Sequence, residues 1–299
     1  MATSRLARGQ GRTAALLIGP FLLLFLAFSV APLVYAAWLS LFTERSSGLG
    51  FGGVETFFVG LGNYARALGD AAFRDSFVVI ATYVLLYIPV MIGGALLLAL
   101  LLDSAMARAK RFFQLGLFLP HAVPGLIAAI IWVYLYTPGL SPVIDVLESA
   151  GVKWSFLSAD HAMFSVVNIS TWEWIGYNMV ILYAALQAIP RDVLEAGTVD
   201  GASGLRIALR IKVPLIRPAI ALNVLFTVIG ALQLFTEPKV IYRASTEIGS
   251  SWSPNMYAMR AAFDNHDYGL AASASILIAL LGGVLSFIVT RFSARRTQP

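Results

Sequence analysis

The sequence has no cysteine, so disulfides, thiolate metal sites and cysteine nucleophiles are excluded, and the redox state of its compartment cannot be inferred from it. Charge is scarce as well. Asp, Glu, Lys and Arg make up 12% of the 299 residues, about half of the roughly 25% usual in soluble domains. Lysine occurs only as Lys110, Lys153, Lys212 and Lys239, preceded by Ala, Val, Ile and Pro. A P-loop needs a Gly-Lys pair, because backbone N–H groups and the ammonium together hold the phosphates, so no site of that type is encoded. His121, His161 and His266 stand far apart, with no HExxH and no second ligand at helical spacing. That leaves neither a zinc site nor a histidine-based hydrolase to argue for.

What is abundant is apolar surface. Hydrophobic residues make up 59% of the chain, and they fall into stretches with little or no charge at residues 13–43, 76–102, 112–144, 162–190, 218–236 and 268–290. A helix needs about 20 such residues to cross a bilayer, so the fold class expected is an all-α integral membrane protein with six transmembrane helices. The third stretch is interrupted at Pro138 and Gly139, which puts the end of its membrane part near Tyr136. The first follows Arg5, Arg8 and Arg12 as a signal peptide would, but it is too long and has no small-x-small cleavage site, so it reads as an uncleaved helix. With both termini in the cytoplasm, 14 of the 21 Lys and Arg residues lie inside and 7 outside, the distribution that the positive-inside rule selects. The net charge of +5 is then a topogenic signal rather than a nucleic-acid footprint. The division expected is a cytoplasmic tail at 1–12, a membrane domain at 13–290 and a second cytoplasmic tail at 291–299.

The loops differ in kind. The first outside loop, 44–75, is rich in glycine (Gly48, Gly50, Gly52, Gly53, Gly60 and Gly62) and reads as a turn-rich cap with a short amphipathic helix. Outside loops at 137–161 and 237–267 are polar. The inside loop at 191–217 is strongly patterned. Pro190 ends the fourth apolar run, and Pro214 and Pro218 bound the fifth, since proline lacks the N–H and clashes with the preceding turn. Between them, Asp192 is placed to cap a first helix carrying Val193, Ala196, Val199 and Ala202 along one side. Gly201 and Gly204 permit a reversal, and Leu205, Ile207, Ala208, Ile211 and Val213 then alternate with Arg206, Arg210 and Lys212 as a second amphipathic piece. Such a helix-turn-helix suits docking on another protein, and from the pattern alone it also suits a helix lying at the head groups.

The run Glu195, Ala196, Asp200, Gly201, Ala202, Ile211, Val213 and Pro214 resembles the EAA loop of bacterial ABC importer permeases. Two more segments, FVGLGNY at 58–64 and LFLPHAVP at 117–124, are similar to segments of the carbohydrate-uptake branch, the maltose and glycerol-phosphate type, so the resemblance extends over nearly the whole chain. The chain departs from the family pattern in three places: Gly197 in place of Ala, Ala208 in place of a common aromatic, and Thr236-Glu237-Pro238 in place of Gly-Gly-Pro. The resemblance implies the type I importer permease fold and a multi-pass place in the bacterial cytoplasmic membrane. It also implies a non-catalytic role as half of an alternating-access pathway for a sugar or oligosaccharide. The implied partners are a second permease subunit in a heterodimer, two ATP-binding subunits that hold ATP and magnesium, and an extracytoplasmic solute-binding protein. No cofactor is implied for this chain and no nucleic acid. The ATPase-coupling residues implied are Glu195, Ala196, Asp200, Gly201, Ala202, Leu205, Ile207, Ile211 and Pro214.

Within the apolar runs, Glu173 is the one ionisable residue other than histidine. A carboxylate there costs about 2.5–3.5 kcal/mol on insertion scales, so it is expected to face a cavity or a partner. Tyr177 shares its helix face and Trp174 lies beside it; aromatic faces with a few polar groups suit a sugar ring. With Ala188-Ile189-Pro190 and Pro218 as registers, the resemblance maps solute contacts to Glu173, Trp174, Tyr177, Phe226, Gly230 and Gln233. Trp174 and Phe226 read equally as packing against a partner permease, and Glu173 as half of an ion pair or a helix-end residue. The competing functional class is an ion-coupled carrier or channel, which usually shows several intramembrane ionisable sites in paired halves; a membrane-embedded enzyme would need clustered acids, bases or metal ligands. Neither accounts for the pattern at 195–214.

Overall fold

Inside a bilayer no water is at hand for backbone N–H and C=O groups, so apolar runs close their hydrogen bonds within themselves as helices. The computed structural model, which describes residues 16–46, 54–104, 107–152, 154–245 and 248–295, follows that rule. In chain order its elements are α1 (Leu16–Leu39), β1 (Phe42–Ser46), β2 (Val54–Phe58), α2 (Gly62–Gly69), α3 (Ala71–Asp103), α4 (Lys110–Ala122), α5 (Gly125–Tyr136), α6 (Pro142–Ser149), α7 (Ala162–Gln187), α8 (Arg191–Val199), α9 (Gly204–Leu215), α10 (Arg217–Leu232), α11 (Thr236–Ala244), α12 (Pro254–Met259) and α13 (Tyr268–Arg295). The expectations for the tail at 1–12, for Gly48, Gly50, Gly52 and Gly53, and for Lys153 fall outside the described residues.

Three described helices are long and apolar enough to cross a membrane: α1, α3 and the Tyr268–Ile288 part of α13. The count reaches five if two bent pairs are each one span, α4 with α5 at 94° and α9 with α10 at 66°. The third apolar run is therefore two helices and not the single one expected. Val123 and Pro124 are both extended between them (ψ 128° and 130°); Val123 is driven out of the helical region by the proline that follows it. The second bend falls at Ile216, just before Pro218. Helix α7 has 26 residues, a length of about 39 Å at 1.5 Å per residue. Asn168, Glu173, Asn178 and several hydroxyls dilute its apolarity.

The chain divides into two compact units. The first comprises Met1–Asp70 and Ala258–Leu277, and it holds the one departure from an all-helical fold among the described residues: β1 and β2 pair antiparallel from Phe42↔Phe58 to Ser46↔Val54. The short helix expected in this loop is α2. Fully buried Asn63 ties these pieces together, donating to the carbonyls of Ser40 (2.9 Å) and Phe42 (2.7 Å) and accepting from Arg66 Nη1 (3.0 Å). Arg66 also meets Asp267 at 2.6 Å. The Asn-Tyr of the 58–64 segment thus has a local reason to be there: Tyr64 OH bonds Ser40 Oγ at 2.7 Å.

The second unit comprises Ala71–Tyr257 and Ile278–Pro299. Its spine is α3 against α7. Tyr83, Tyr87 and Met91 pack with Val166 and Ile169 in one cluster, while Ala95, Ala99 and Leu102 meet Met179, Leu182 and Leu186 in another. Ala95 and Ala99 are wholly buried, and small residues four apart let two helix backbones approach closely. The approach is closest between α4 and α7. A Cβ on Gly176 would stand 1.8 Å from the Leu117 carbonyl oxygen, so only glycine fits.

On the opposite end of the same helices, Asp103 closes α3, accepts from Gln187 at the end of α7 (2.6 Å) and pairs with Lys212 of α9. The pair is largely covered, with side-chain exposures of 10% for Asp103 and 17% for Lys212. One carboxylate therefore joins the ends of α3 and α7 to the loop that follows them.

Two outcomes follow for stability. Gly176→Ala is expected to lower the thermal midpoint of the detergent-purified chain by the equivalent of at least about 2 kcal/mol, the range of overpacking. Gly116→Ala, on the same α4 but with open space around it, is expected to change it by under about 1 kcal/mol. Equal behaviour of the two variants would refute the contact. Asp103→Leu leaves Lys212 covered and unpaired, at an expected cost of about 2 kcal/mol after allowing for its residual exposure. Adding Lys212→Met is expected to recover at least half of that loss, and strict additivity in this double-mutant cycle would show that the pair does not interact.

Candidate functional site

Two helices of the second unit turn stripes of the same spacing toward one cavity. On α7 the stripe is Ser170, Glu173, Trp174, Tyr177, Asn178 and Ile181; on α10 it is Ala219, Leu222, Asn223, Phe226, Thr227 and Gly230. Steps of three and four residues keep side chains on one face of a helix. Tyr83, Tyr87 and Met91 of α3 complete the wall at i, i+4 and i+8, and Gln233, Phe235 and Glu237 close it where α10 passes into α11. The enclosed volume is about 510 Å³, within the range of small-molecule sites.

Glu173, Trp174, Tyr177, Phe226, Gly230 and Gln233 all line this single cavity. Glu173 is 8% exposed. Its Oε1 lies against Gly125, where an added Cβ would be 3.1 Å away, and its Oε2 has no hydrogen-bond partner among the described residues. Gly125 is the first residue of α5, so the bend between α4 and α5 sets the start of a helix, with its unpaired N–H groups and partial positive charge, beside the carboxylate. Trp174 and Tyr177 are each 39% exposed and Phe226 61%, leaving aromatic surface free at the cavity. The His121 ring lies behind Trp174 and Tyr177, 4.5 and 4.7 Å away between ring centres, with its Nδ1 buried and without a partner. Among the described residues, no three His, Asp or Glu side chains come together as a metal site would require.

Several lining groups were missed at the level of sequence. Ser170 and Asn178 lie three residues before and five after Glu173, and Asn223 and Thr227 flank Phe226, so extending the helical stripe from the aromatic residues would have found them. One bond joins the two helices, Asn223 Nδ2 donating to the Asn178 carbonyl (3.5 Å), while Asn178 Nδ2 donates to the Trp174 carbonyl (2.9 Å) and Thr227 Oγ1 to the Asn223 carbonyl (2.8 Å), each within its own helix. Glu237 was assigned to an outside loop. It lies on α11, lines the cavity from that helix's first turn and accepts from Ser170 Oγ at 3.4 Å. No periodicity pointed to it, because it follows the break after α10.

The patterned loop is a helix, a turn and a second helix. Glu195 and Ala196 lie on α8; Asp200 caps its C-terminus, and Gly201 takes φ +74°, a left-handed conformation that favours glycine. Ala202 N–H donates back to the Gly197 carbonyl at 3.0 Å, completing the turn. The N-terminal cap of α8 is Pro190, not Asp192, which lies in the first turn, where its charge still complements the helix dipole. Ser203 caps α9 by accepting from the Arg206 N–H. Ile207 and Ile211 turn inward onto Gly197: an added Cβ there would be 2.7 Å from Ile211 Cδ1 and 3.8 Å from Ile207 Cγ1. This accounts for glycine at a position where the pattern has alanine. Leu205 points outward, 71% exposed, as does Val199 at 87%. Near Pro214 the hydrogen bonding widens by one residue over Ala208–Lys212, which relieves the clash between the proline ring and the preceding turn.

Comparison with known proteins agrees with this architecture. The chain is 31% identical over 291 residues to the sn-glycerol-3-phosphate transport system permease protein UgpA of Pectobacterium atrosepticum, covering 94% of each. It superposes at a TM-score of 0.82 and 21% identity on a chain from a bacterial ABC transporter involved in import of the acidic polysaccharide alginate, covering 98% of this chain and 100% of that one. A second structure of a bacterial alginate ABC transporter, in complex with an alginate pentasaccharide-bound periplasmic protein, also matches at 0.82 and 21%, covering 99% and 98%. The family model described as "Binding-protein-dependent transport system inner membrane component" matches residues 104–299. These residues include the α7 and α10 sides of the cavity and the helix-turn-helix loop, but not the α3 side. The chain belongs to the family of inner membrane components of binding-protein-dependent transport systems.

Proposed function

We propose that this chain is one permease subunit of an ATP-driven importer and forms half of the pathway for a sugar or oligosaccharide by alternating access. The observation that carries the reading is the cavity, where Glu173, Trp174, Tyr177, Phe226, Gly230 and Gln233 converge from separate stretches of sequence. Aromatic faces cover apolar sugar faces, and carboxylate, amide and phenol groups take the hydroxyls. In this reading residues 13–290 form one membrane domain with six spans. Four are α1, α3, α7 and α13, and the bent pairs α4–α5 and α9–α10 make the other two. The tails at 1–12 and 291–299 lie in the cytoplasm. Helix α7 is admitted as a span because its polar residues face the cavity rather than lipid.

The segment 191–217 is then the coupling loop. Leu205, with Val199 beside it, supplies exposed apolar contact to an ATP-binding subunit, and Glu195, Ala196, Asp200, Gly201, Ala202, Ile207, Ile211 and Pro214 set the shape of the knob. Two ATP-binding subunits hydrolyse ATP with magnesium, a second permease completes the pathway, and a binding protein delivers the solute from outside. The related importers named above handle a glycerol phosphate and an acidic polysaccharide, so hydroxyl-rich cargo suits this chain too.

The test is co-purification from membranes with the candidate ATPase and partner permease, followed by ligand-stimulated ATP hydrolysis. The wild-type chain is expected to retain the ATPase. Gly201→Asp, which puts a second carboxylate beside Asp200 at a left-handed turn that favours glycine, and Glu195→Ala are each expected to reduce stimulated hydrolysis at least tenfold. A chain that purifies alone and transports without ATP would overturn the reading in favour of an ion-coupled carrier.

A further inference from the structure

Among the described residues the cavity wall is acidic at one pole and carries no basic side chain. Glu173 of α7 and Glu237 of α11 both line it, from segments 64 residues apart in sequence, and no lysine or arginine among the described residues does. The nearest cation in sequence to either, Lys239, turns its ammonium over the ring of Tyr242, 5.2 Å from its centre. Neither carboxylate is saturated: Glu173 Oε2 is buried without a hydrogen-bond partner among the described residues, and Glu237 accepts a backbone N–H and one long bond from Ser170 Oγ. Ionised carboxylates offer about four acceptor sites each, and hydroxyl or ammonium donors form strong charge-assisted bonds to them. A phosphate or uronate brought to the same pole meets like charge in a site where water does little to screen it.

We propose that Glu173 and Glu237 act together as a charge filter, so that this half-cavity takes uncharged or cationic hydroxyl-bearing solutes such as neutral or amino sugars, and rejects anionic ones. The inference rests on reading the cavity as the solute pathway. It separates this chain from the anionic cargoes in the names of the proteins it is similar to. Glu237 stands where the family pattern has glycine, so the second carboxylate is a feature of this sequence at that position.

The absence of cysteine allows a direct test, because one introduced thiol is unique on the chain. Gly230 lines the cavity, and a Cβ there meets nothing within 4 Å, so Gly230→Cys is placed in the assembled importer in lipid nanodiscs. It is reacted with trimethylammonium-ethyl and sulfonato-ethyl methanethiosulfonates, each rate being divided by the rate of the same reagent with free 2-mercaptoethanol. The cationic reagent is expected to be favoured at least tenfold. Adding Glu173→Gln and Glu237→Gln together is expected to bring the ratio within threefold of one, and each single change to give an intermediate ratio. A ratio of one or below without those changes, or a ratio that neither glutamate affects, overturns the filter. Labelling by neither reagent, in a complex that still hydrolyses ATP, means that the cavity is no solute pathway; that outcome removes the proposal together with the site reading beneath it. Loss of the ATPase from the complex instead counts against the importer reading itself.

Discussion

The second unit depends on a contact between backbones. At Gly176 the α7 helix has no side chain, and the carbonyl of Leu117 on α4 occupies the place where a Cβ would be. That closeness puts His121, four residues on, against Trp174 and Tyr177, the residues flanking the contact. It also fixes where the chain reaches Val123 and Pro124, bends by 94° and restarts as α5 with Gly125 on the carboxylate of Glu173. A break in a membrane helix exposes N–H and C=O groups and is tolerated where protein or a cavity covers them. Here the exposed N-terminal turn is used beside an acidic group.

The polarity of α7 has the same origin. Its asparagines, hydroxyls and Glu173 are a poor match for lipid, and they make it the least apolar of the long helices. Most of them face inward: Asn178 and Ser170 are buried, and both line the cavity with Glu173. In the six-span reading, Phe164 and Val180, exposed apolar side chains outside the cavity lining, are what that helix offers to lipid.

Much of this was legible in the sequence, and the illegible part has a physical pattern. Runs of apolar residues and prolines located the helices, since lipid and the missing proline N–H act locally. Gly201 announced the turn between α8 and α9, as a left-handed φ favours glycine. The stripe through Glu173, Trp174 and Tyr177 followed from helical periodicity. The 94° bend did not, although Pro120 and Pro124 both lie in the segment, because an apolar run reads the same whether it continues or breaks. The contact at Gly176 depends on where a distant strand of backbone falls, and a glycine in a membrane helix is otherwise unremarkable in sequence. Glu237 was hidden for the opposite reason: being charged and next to a proline, it looked like loop, whereas its carboxylate lies at the cavity.

Coupling in the proposed importer requires that a push on α8 and α9 reach the cavity, and helix mechanics set the route. Asp103 holds Lys212 of α9 and Gln187 of α7 at once, so the loop is attached to the ends of α3 and α7 rather than hanging between them. From Gln187 to Glu173 is 14 residues of one helix, about 21 Å at 1.5 Å per residue. Over that stretch α7 lies on α3 through Met179, Leu182 and Leu186 against Ala95, Ala99 and Leu102. Small residues at such a contact leave little slack, and close-packed interfaces transmit displacement instead of absorbing it. The two helices therefore move as a pair. Tyr83, Tyr87 and Met91 ride on one of them and Glu173, Trp174 and Tyr177 on the other, so tilting the pair shifts both sets of groups against Phe226 and Gly230 of α10, which enters the membrane beyond its own bend at Ile216. A cavity built across that divide can change its shape without rearranging any of the contacts that hold α3 and α7 together.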